Sequence, residues 1–185
     1  MLLASPFMIQ AQTLPQAKRI LIVYFSHSGN TREIAQQIKN ATGGDLFEIQ
    51  PVTPYPEDYD TVVLQAKSEI NSGYKPQLKT KVEKIESYDV IFVGSPNWWN
   101  TIAPPVATFL SSCDLSGKTI APFITHEGSR MGRSVSDMKK LCPNSTVFEG
   151  LPVRGKSVKS SQEVVVKWLR EIGMAPHQVI RQLPE

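Results

Sequence analysis

The sequence predicts a doubly wound α/β domain, in which helices cover both faces of a five-stranded parallel sheet. Two observations support this prediction. The runs at residues 20–25 and 90–94 are almost continuously apolar, as in strands that are buried on both faces. Segments with apolar residues at helical spacing lie between the apolar runs, and this alternation repeats five times, which is typical of the α/β class.

Five short apolar runs are predicted to be the strands of this sheet. They comprise residues 20–25, 46–49, 90–94, 119–124 and 146–148. Parallel strands are joined by right-handed crossovers, and ligands bind beyond the carboxyl ends of the strands, where the strand order reverses. The loops that follow the strands are therefore the segments in which binding residues are expected.

Five apolar stripes at helical spacing are predicted to be the helices that pack on the sheet. The first stripe ends at Gly43, the third begins at Pro104 and the last ends at Gly173, which are common helix boundaries. The stripes comprise Ile34, Ala35, Ile38 and Ala41; Val62, Val63, Ala66 and Ile70; Val106, Phe109 and Leu110; Val135, Met138 and Leu141; and Val165, Trp168, Leu169 and Ile172.

Length and composition are those of one ordinary globular domain. The chain has 185 residues, of which 41% are hydrophobic and 20% charged. Its net charge of +3 is too small to indicate nucleic acid binding, and it contains no run of five basic residues. Cys113 and Cys142 form no close motif, so they are expected to be buried, inert thiols rather than zinc ligands or a disulfide framework.

The first eighteen residues are set apart as an N-terminal extension. Residues 1–12 are apolar but short, and no basic residue precedes Lys18, whereas a full secretory signal has a positive start and a longer apolar stretch. Two interpretations stay open: a disordered or loosely docked extension of a cytoplasmic protein, which we favour, or the end of a signal that exports the protein to the periplasm. No segment is long enough to span a membrane.

The stretch Ser26 to Thr31 is the most informative of the loops, because it joins the first predicted strand to the first predicted helix. Such a turn directs free backbone N–H groups, three hydroxyls and the positive end of a helix dipole toward one point. A phosphate suits that point. No lysine lies within the turn, so binding would depend on directional hydrogen bonds.

Two further loops follow neighbouring strands and are expected at the same edge of the sheet. Residues 95–100 contain two adjacent tryptophans in a turn bounded by proline and asparagine, and residues 125–132 contain glycines and small polar groups. Together the three loops predict a pocket for a flat, phosphorylated molecule. At least one of Trp98 and Trp99 is expected to contact this ligand, while the other packs against the loop or covers an interface.

Two motifs resemble a known family. Ser26-x-Ser28-Gly29-Asn30-Thr31 is similar to the phosphate loop of flavodoxins, and Gly94-Ser95-Pro96-x-Trp98-Trp99 is similar to the flavin-flanking loop of the flavodoxin-like superfamily. The resemblance extends over about residues 19–174. It implies a flavodoxin-like domain of the short-chain form with strand order 2-1-3-4-5, followed by a C-terminal tail at 175–185.

The resemblance also implies a non-covalently bound FMN and assigns residues to its parts. The phosphate would be held by Ser26, His27, Ser28, Gly29, Asn30 and Thr31. One side of the isoalloxazine ring and the ribityl chain would contact Pro96, Asn97, Trp98, Trp99 and Asn100. The other edge of the ring would contact Thr125, His126, Glu127, Gly128 and Ser129.

Four features depart from the family or leave the role of a residue open. Flavodoxins are strongly acidic, whereas this chain is net basic, so a less negative flavin potential is expected. His27 either faces the phosphate or points to solvent. His126 either stabilises a reduced flavin or binds a quinone, or else points outward. Gly128 is a candidate for a peptide that reorients with the redox state.

Two redox functions stay open at this stage. The first is an electron carrier that serves redox partner proteins or a small electron acceptor, and it is the one that we favour. The second is an NAD(P)H-dependent quinone or small-acceptor reductase that uses the same FMN. Partner identity and oligomeric state are left open.

Other α/β domains fit the residues poorly. A receiver domain needs acidic residues where Ser26 and Ser95 stand. A low-molecular-weight phosphatase needs a cysteine in the first loop, and a dinucleotide fold needs a G-x-G-x-x-G turn; both are missing. The residues therefore argue against these non-redox classes.

Overall fold

The computed structural model describes residues 18–174. The predictions for residues 1–17 and for the tail at 175–185 lie outside the described residues. Within the described range, no helix has the length and apolar character that are needed to cross a bilayer.

The sheet confirms the predicted doubly wound architecture. Its parallel strands are β1 (Ile20–Tyr24), β2 (Asp45–Glu48), β3 (Val90–Trp98), β5 (Thr119–His126) and β6 (Thr146–Val147), in the order β2-β1-β3-β5-β6. Two short strands bring the total in the described residues to seven. They are β4 (Thr101–Ile102), antiparallel to the end of β3, and β7 (Leu151–Arg154), parallel to β5.

The fifth predicted strand differs from the observed one. Instead of one strand at 146–148, the edge of the sheet is divided between β6 and β7. β6 pairs with Thr119 and Ile120, whereas β7 pairs with β5 only from Phe123 onward. The interruption coincides with Pro122, which has no amide hydrogen to donate to a neighbouring strand. A proline within β5 therefore accompanies the division of the edge strand.

In residues 18–174, five helices cover the sheet as predicted. They are α1 (Asn30–Thr42), α2 (Tyr59–Ser72), α3 (Pro104–Ser112), α4 (Ser134–Leu141) and α5 (Gln162–Glu171). Residues 85–87 and 155–160 add two 3₁₀ helices. α1 ends where the Gly43 N–H bonds to the Lys39 carbonyl, and α2 begins where the Asp58 carboxylate accepts the Thr61 N–H at 2.9 Å.

Two apolar cores lie on opposite faces of the sheet. On one face, α1 and α5 pack over Ile22 and Phe92. On the other, α2, α3 and α4 pack over Val23 and Val93, which are fully buried. Because successive strand residues point to opposite faces, the continuous apolar runs of β1 and β3 fill both cores. This arrangement leaves the carboxyl edge of the sheet to carry the loops.

Candidate functional site

The three predicted loops meet at the carboxyl edge of the sheet around one cavity of about 580 Å³. Small-molecule sites commonly have volumes of about 300–1,000 Å³. Thirteen of the sixteen predicted residues line this cavity: His27, Ser28, Asn30, Pro96, Asn97, Trp98, Trp99, Asn100, Thr125, His126, Glu127, Gly128 and Ser129. Ser26, Gly29 and Thr31 do not line it, although they belong to the same turn.

The turn after β1 is shaped by contacts between neighbouring residues. Gly29 has a φ of 90°, a left-handed conformation that favours glycine, and α1 begins at the next residue. The Ser26 hydroxyl accepts the Gly29 N–H at 3.1 Å. Ser28, just before α1, and Asn30, its first residue, therefore reach the cavity at the helix N-terminus, where backbone N–H groups and the helix dipole favour an anion.

Thr31 is buried behind the turn rather than on the cavity surface. Its side chain is 1% exposed, and its hydroxyl shares a hydrogen bond of 2.8 Å with the hydroxyl of Thr125 at the end of β5. This bond joins the first and third loops. The observed geometry therefore gives Thr31 a positioning role, whereas its contact with a phosphate stays a prediction.

The sequence did not predict that the backbone at Gly155 passes close to two side chains of the site. Gly155 follows β7 and is buried. A Cβ atom at this position would overlap the Glu127 carboxylate and lie 2.7 Å from Nδ2 of Asn30. Only a glycine lets the chain pass this close to both groups without a shift. An isolated glycine between Arg154 and Lys156 carries no sequence signal for such a contact.

Trp98 is half-buried in an aromatic cluster beside the cavity. Its ring lies edge-on to Tyr55, Phe25 and His27, with centroid distances of 4.9, 5.5 and 5.9 Å. Such edge-to-face pairs are favourable beyond the area that they bury. Trp98 is thus fixed in place by the protein, while part of its surface lines the cavity.

Trp99 is more exposed and reaches across the cavity mouth to α2. Its side chain is 45% exposed, and its indole N–H donates to the Val63 carbonyl at 2.9 Å. The Lys67 ammonium lies 4.7 Å from the ring centroid, a cation–π contact. The backbone of Trp99 has a φ of 49°, which is uncommon for a bulky residue.

The wall of the cavity that α2 forms includes three residues that were not predicted to belong to the site. Tyr59, Val62, Val63 and Ala66 line it. The sequence pattern assigned three of these residues to a helix stripe that packs on the sheet. Their additional position at the cavity depends on Trp99 meeting α2, which no local pattern reveals.

The loops after β3 and β5 are bonded to each other. The Asn97 side-chain amide donates to the Arg130 carbonyl at 2.9 Å, and the Asn100 carbonyl accepts the Arg133 N–H at 2.8 Å. Within residues 18–174, the side-chain oxygen of Asn97 is buried without a hydrogen-bond partner. Such an orphaned acceptor is uncommon and is expected where a ligand completes the site.

The two histidines at the cavity have different surroundings. His27 is exposed, and its Nε2 lies 2.8 Å from the Pro56 carbonyl, so the ring turns toward the proline-rich connection. Burial, followed by the positive charge of Arg130, lowers the pKa of His126 below its usual 6.5. Nδ1 of His126 is buried, with no partner in the part of the chain that the structure describes. His126 is therefore mainly neutral at pH 7.

The donor set fits a flat molecule that carries a phosphate. Hydroxyl and amide groups of the β1 turn belong to residues that line the cavity. Aromatic and aliphatic groups of Trp98, Trp99 and α2 line it as well. Two of the unpartnered polar atoms found in residues 18–174, Oδ1 of Asn97 and Nδ1 of His126, belong to residues that line the cavity. Directional donors at one end and apolar walls elsewhere are the features that such a ligand requires.

Comparison with known proteins identifies the family of this chain. A family model described as flavodoxin matches residues 19–172. A candidate flavoprotein from Bacteroides eggerthii DSM 20697 is 34% identical, with a TM-score of 0.69, over 80% of this chain and 98% of that one. One from Bacteroides uniformis ATCC 8492 is 29% identical, with a TM-score of 0.75, over 84% and 99%.

A third structure contains a bound flavin. It is the flavoprotein from Lactobacillus acidophilus NCFM in complex with FMN, which is 26% identical, with a TM-score of 0.65, over 80% of this chain and 99% of that one. A comparison with curated proteins finds no significant match. The family model and the similarity to solved flavoproteins confirm the predicted resemblance, and the chain belongs to the flavodoxin family.

Proposed function

We propose that this protein binds FMN in the cavity at the carboxyl edge of its sheet and transfers electrons through it. One observation carries the proposal: all three loops that the sequence singles out line the same cavity of about 580 Å³. Membership of the flavodoxin family and the FMN-bound relative from Lactobacillus acidophilus support FMN as the cofactor.

The phosphate of FMN would bind at the turn after β1. Ser28 and Asn30 face the cavity there, and the backbone N–H groups at the start of α1 add donors. The Thr31–Thr125 hydrogen bond holds the turn against the end of β5. A cradle of fixed, neutral donors of this kind selects a phosphate by geometry rather than by a mobile charge.

The ring would lie against the aromatic side of the cavity. Trp98, Trp99 and Val63 present apolar surface there and exclude water from one part of the site. Bound FMN supplies the redox chemistry, since it exchanges electrons singly or in pairs. The protein contributes orientation, a dry surface and charges. Burial, followed by the positive charges of Arg130 and Arg154, lowers the pKa of the adjacent His126.

Exposed aromatic side chains at the rim of the cavity favour an electron carrier over a reductase. Tyr59 is 76% exposed and Trp99 is 45% exposed, and both line the cavity. Exposed aromatic side chains are enriched where proteins meet each other. A partner protein that docks on this rim would approach the edge of the ring. The positive charges beside His126 favour the alternative, in which a small anionic acceptor enters the site.

Steady-state oxidation of NADH and NADPH separates the two functions. The FMN-loaded protein is mixed with each nucleotide and a soluble quinone, with no other protein present. A carrier gives a rate close to that of the same concentration of free FMN. Rapid, saturable turnover that exceeds the free-FMN control would contradict the carrier function and establish the reductase.

A further inference from the structure

The two cysteines lie at equivalent places in consecutive units of the fold. Cys113 directly follows α3 and Cys142 directly follows α4. The two helices lead into β5 and β6, which are neighbours in the sheet, and the first residues of these strands pair in register. Both thiols therefore lie near the amino edge of the sheet, opposite the candidate FMN site.

Two hydrogen bonds hold the cysteine-bearing turns side by side. The Ser145 hydroxyl donates to the Leu115 carbonyl at 2.6 Å, and the Gly117 N–H donates to the Asn144 carbonyl at 2.8 Å. Cys113 and Cys142 line the same small cavity of about 100 Å³ between these turns. Cys113 is half-buried, Cys142 is 6% exposed, and both are free thiols.

The pKa values of the two thiols are consistent with a short distance between them. Burial raises the pKa of both groups, and that of Cys142 rises to about 11. A charge on Cys113 raises the pKa of Cys142 further, as a neighbouring like charge does. Few thiolates are present at neutral pH, so thiol–disulfide exchange is expected to be slow there and faster at alkaline pH.

We propose that Cys113 and Cys142 form an intrachain disulfide when the protein meets a low-molecular-weight disulfide such as oxidised glutathione. The thiolate of the more exposed Cys113 attacks the oxidant, forms a mixed disulfide and releases one glutathione thiolate. The Cys142 thiolate then attacks the sulfur of Cys113 and releases the second. The protein loses two protons and two electrons, and the oxidant becomes two molecules of reduced glutathione.

The test exposes the full-length protein to oxidised glutathione at mildly alkaline pH. We expect both thiols to disappear, the intact mass to fall by two hydrogen atoms and a single cross-linked peptide pair to join residues 113 and 142. The denaturant midpoint should rise and return on reduction, because the bond closes a loop in the unfolded chain. A persistent glutathione adduct, a covalent dimer or unreacted thiols would overturn the proposal.

Matched variants resolve the order of the steps. Cys142→Ser keeps the more exposed thiol, so it should accumulate a mixed disulfide with glutathione. Cys113→Ser keeps only the buried thiol and should react much more slowly. Equal rates in the two variants would contradict the assignment of Cys113 as the first nucleophile. If either variant fails to fold, the peptide map of the wild-type protein still decides whether the two residues are joined.

Discussion

The two sides of the candidate FMN cavity are built by different kinds of contact. The turn after β1 is shaped locally, since Ser26, Gly29 and the start of α1 lie within a few residues of each other. The aromatic side depends on distant residues, because Trp99 is held by Val63, 36 positions away. Changes on the local side should affect the ligand most, whereas changes on the aromatic side should also affect folding.

The largest effect is expected from removing hydroxyls of the local side. Ser28→Ala should remove a charge-assisted hydrogen bond worth about 1–3 kcal/mol of FMN binding, and Thr31→Ala should add to this loss because it frees the turn from Thr125. Fluorescence titration of the apoprotein with FMN measures the change. Thr108→Ala is the control, because this hydroxyl bonds to Pro104 within α3, away from the cavity. Unchanged affinity in the double variant would exclude the phosphate assignment.

Trp98→Ala should disrupt the aromatic side of the cavity by destabilising the fold. The ring packs against Phe25 and Tyr55, so its removal should lower the free energy of unfolding of the apoprotein by about 3 kcal/mol. Trp99→Ala removes an exposed ring with one hydrogen bond and should cost only about 1 kcal/mol. Urea unfolding compares the two, and equal losses would contradict the difference in their packing.

Gly155→Ala should disturb the site through a steric contact. The added methyl group would overlap the Glu127 carboxylate, so the carboxylate or the backbone must move. We expect FMN binding to weaken by about 1 kcal/mol, at the lower end of the effect of overpacking because the side chain of Glu127 is flexible. The double variant Gly155→Ala, Glu127→Ala should recover the affinity. Failure to recover would place the disturbance at the Asn30 side chain or in the backbone.

The charges near His126 should have a smaller effect on the flavin potential. Positive groups favour the more electron-rich state of a bound flavin, so replacing Arg130 and Arg154 with Gln should lower the midpoint potential. Both side chains are exposed, so the shift should be at most a few tens of millivolts and should shrink as salt is added. A redox titration at two ionic strengths measures it, and an upward shift would contradict the sign.

The smallest expected effect is the change with pH in the free energy of unfolding that the titration of His126 causes. Its pKa is lowered in the folded protein, so the unfolded chain binds more protons between that pKa and the usual value of 6.5. Its contribution to stability is therefore complete above pH 6.5 and is lost as the pH falls through the folded pKa. His126→Gln should flatten this part of the stability profile, and an unchanged slope would exclude His126 as its source.

The sequence was sufficient to predict the strands and loops that a local pattern of residues determines. Continuous apolar runs identified β1 and β3, and the residues of the three loops identified the cavity. The contribution of Val62 and Val63 was not predicted, because it depends on α2 meeting Trp99 in the folded chain. The division of the edge strand into β6 and β7 and the close approach at Gly155 were missed for the same reason, since both depend on packing between distant segments.

The proposal that the β1 turn holds the phosphate of FMN is tested most directly by comparing FMN with riboflavin, which lacks the phosphate. We expect the apoprotein to bind FMN much more tightly, and the difference to shrink sharply when Ser28 and Thr31 are both replaced by Ala. Equal affinity of the wild-type protein for the two flavins would contradict a phosphate cradle at residues 26–31.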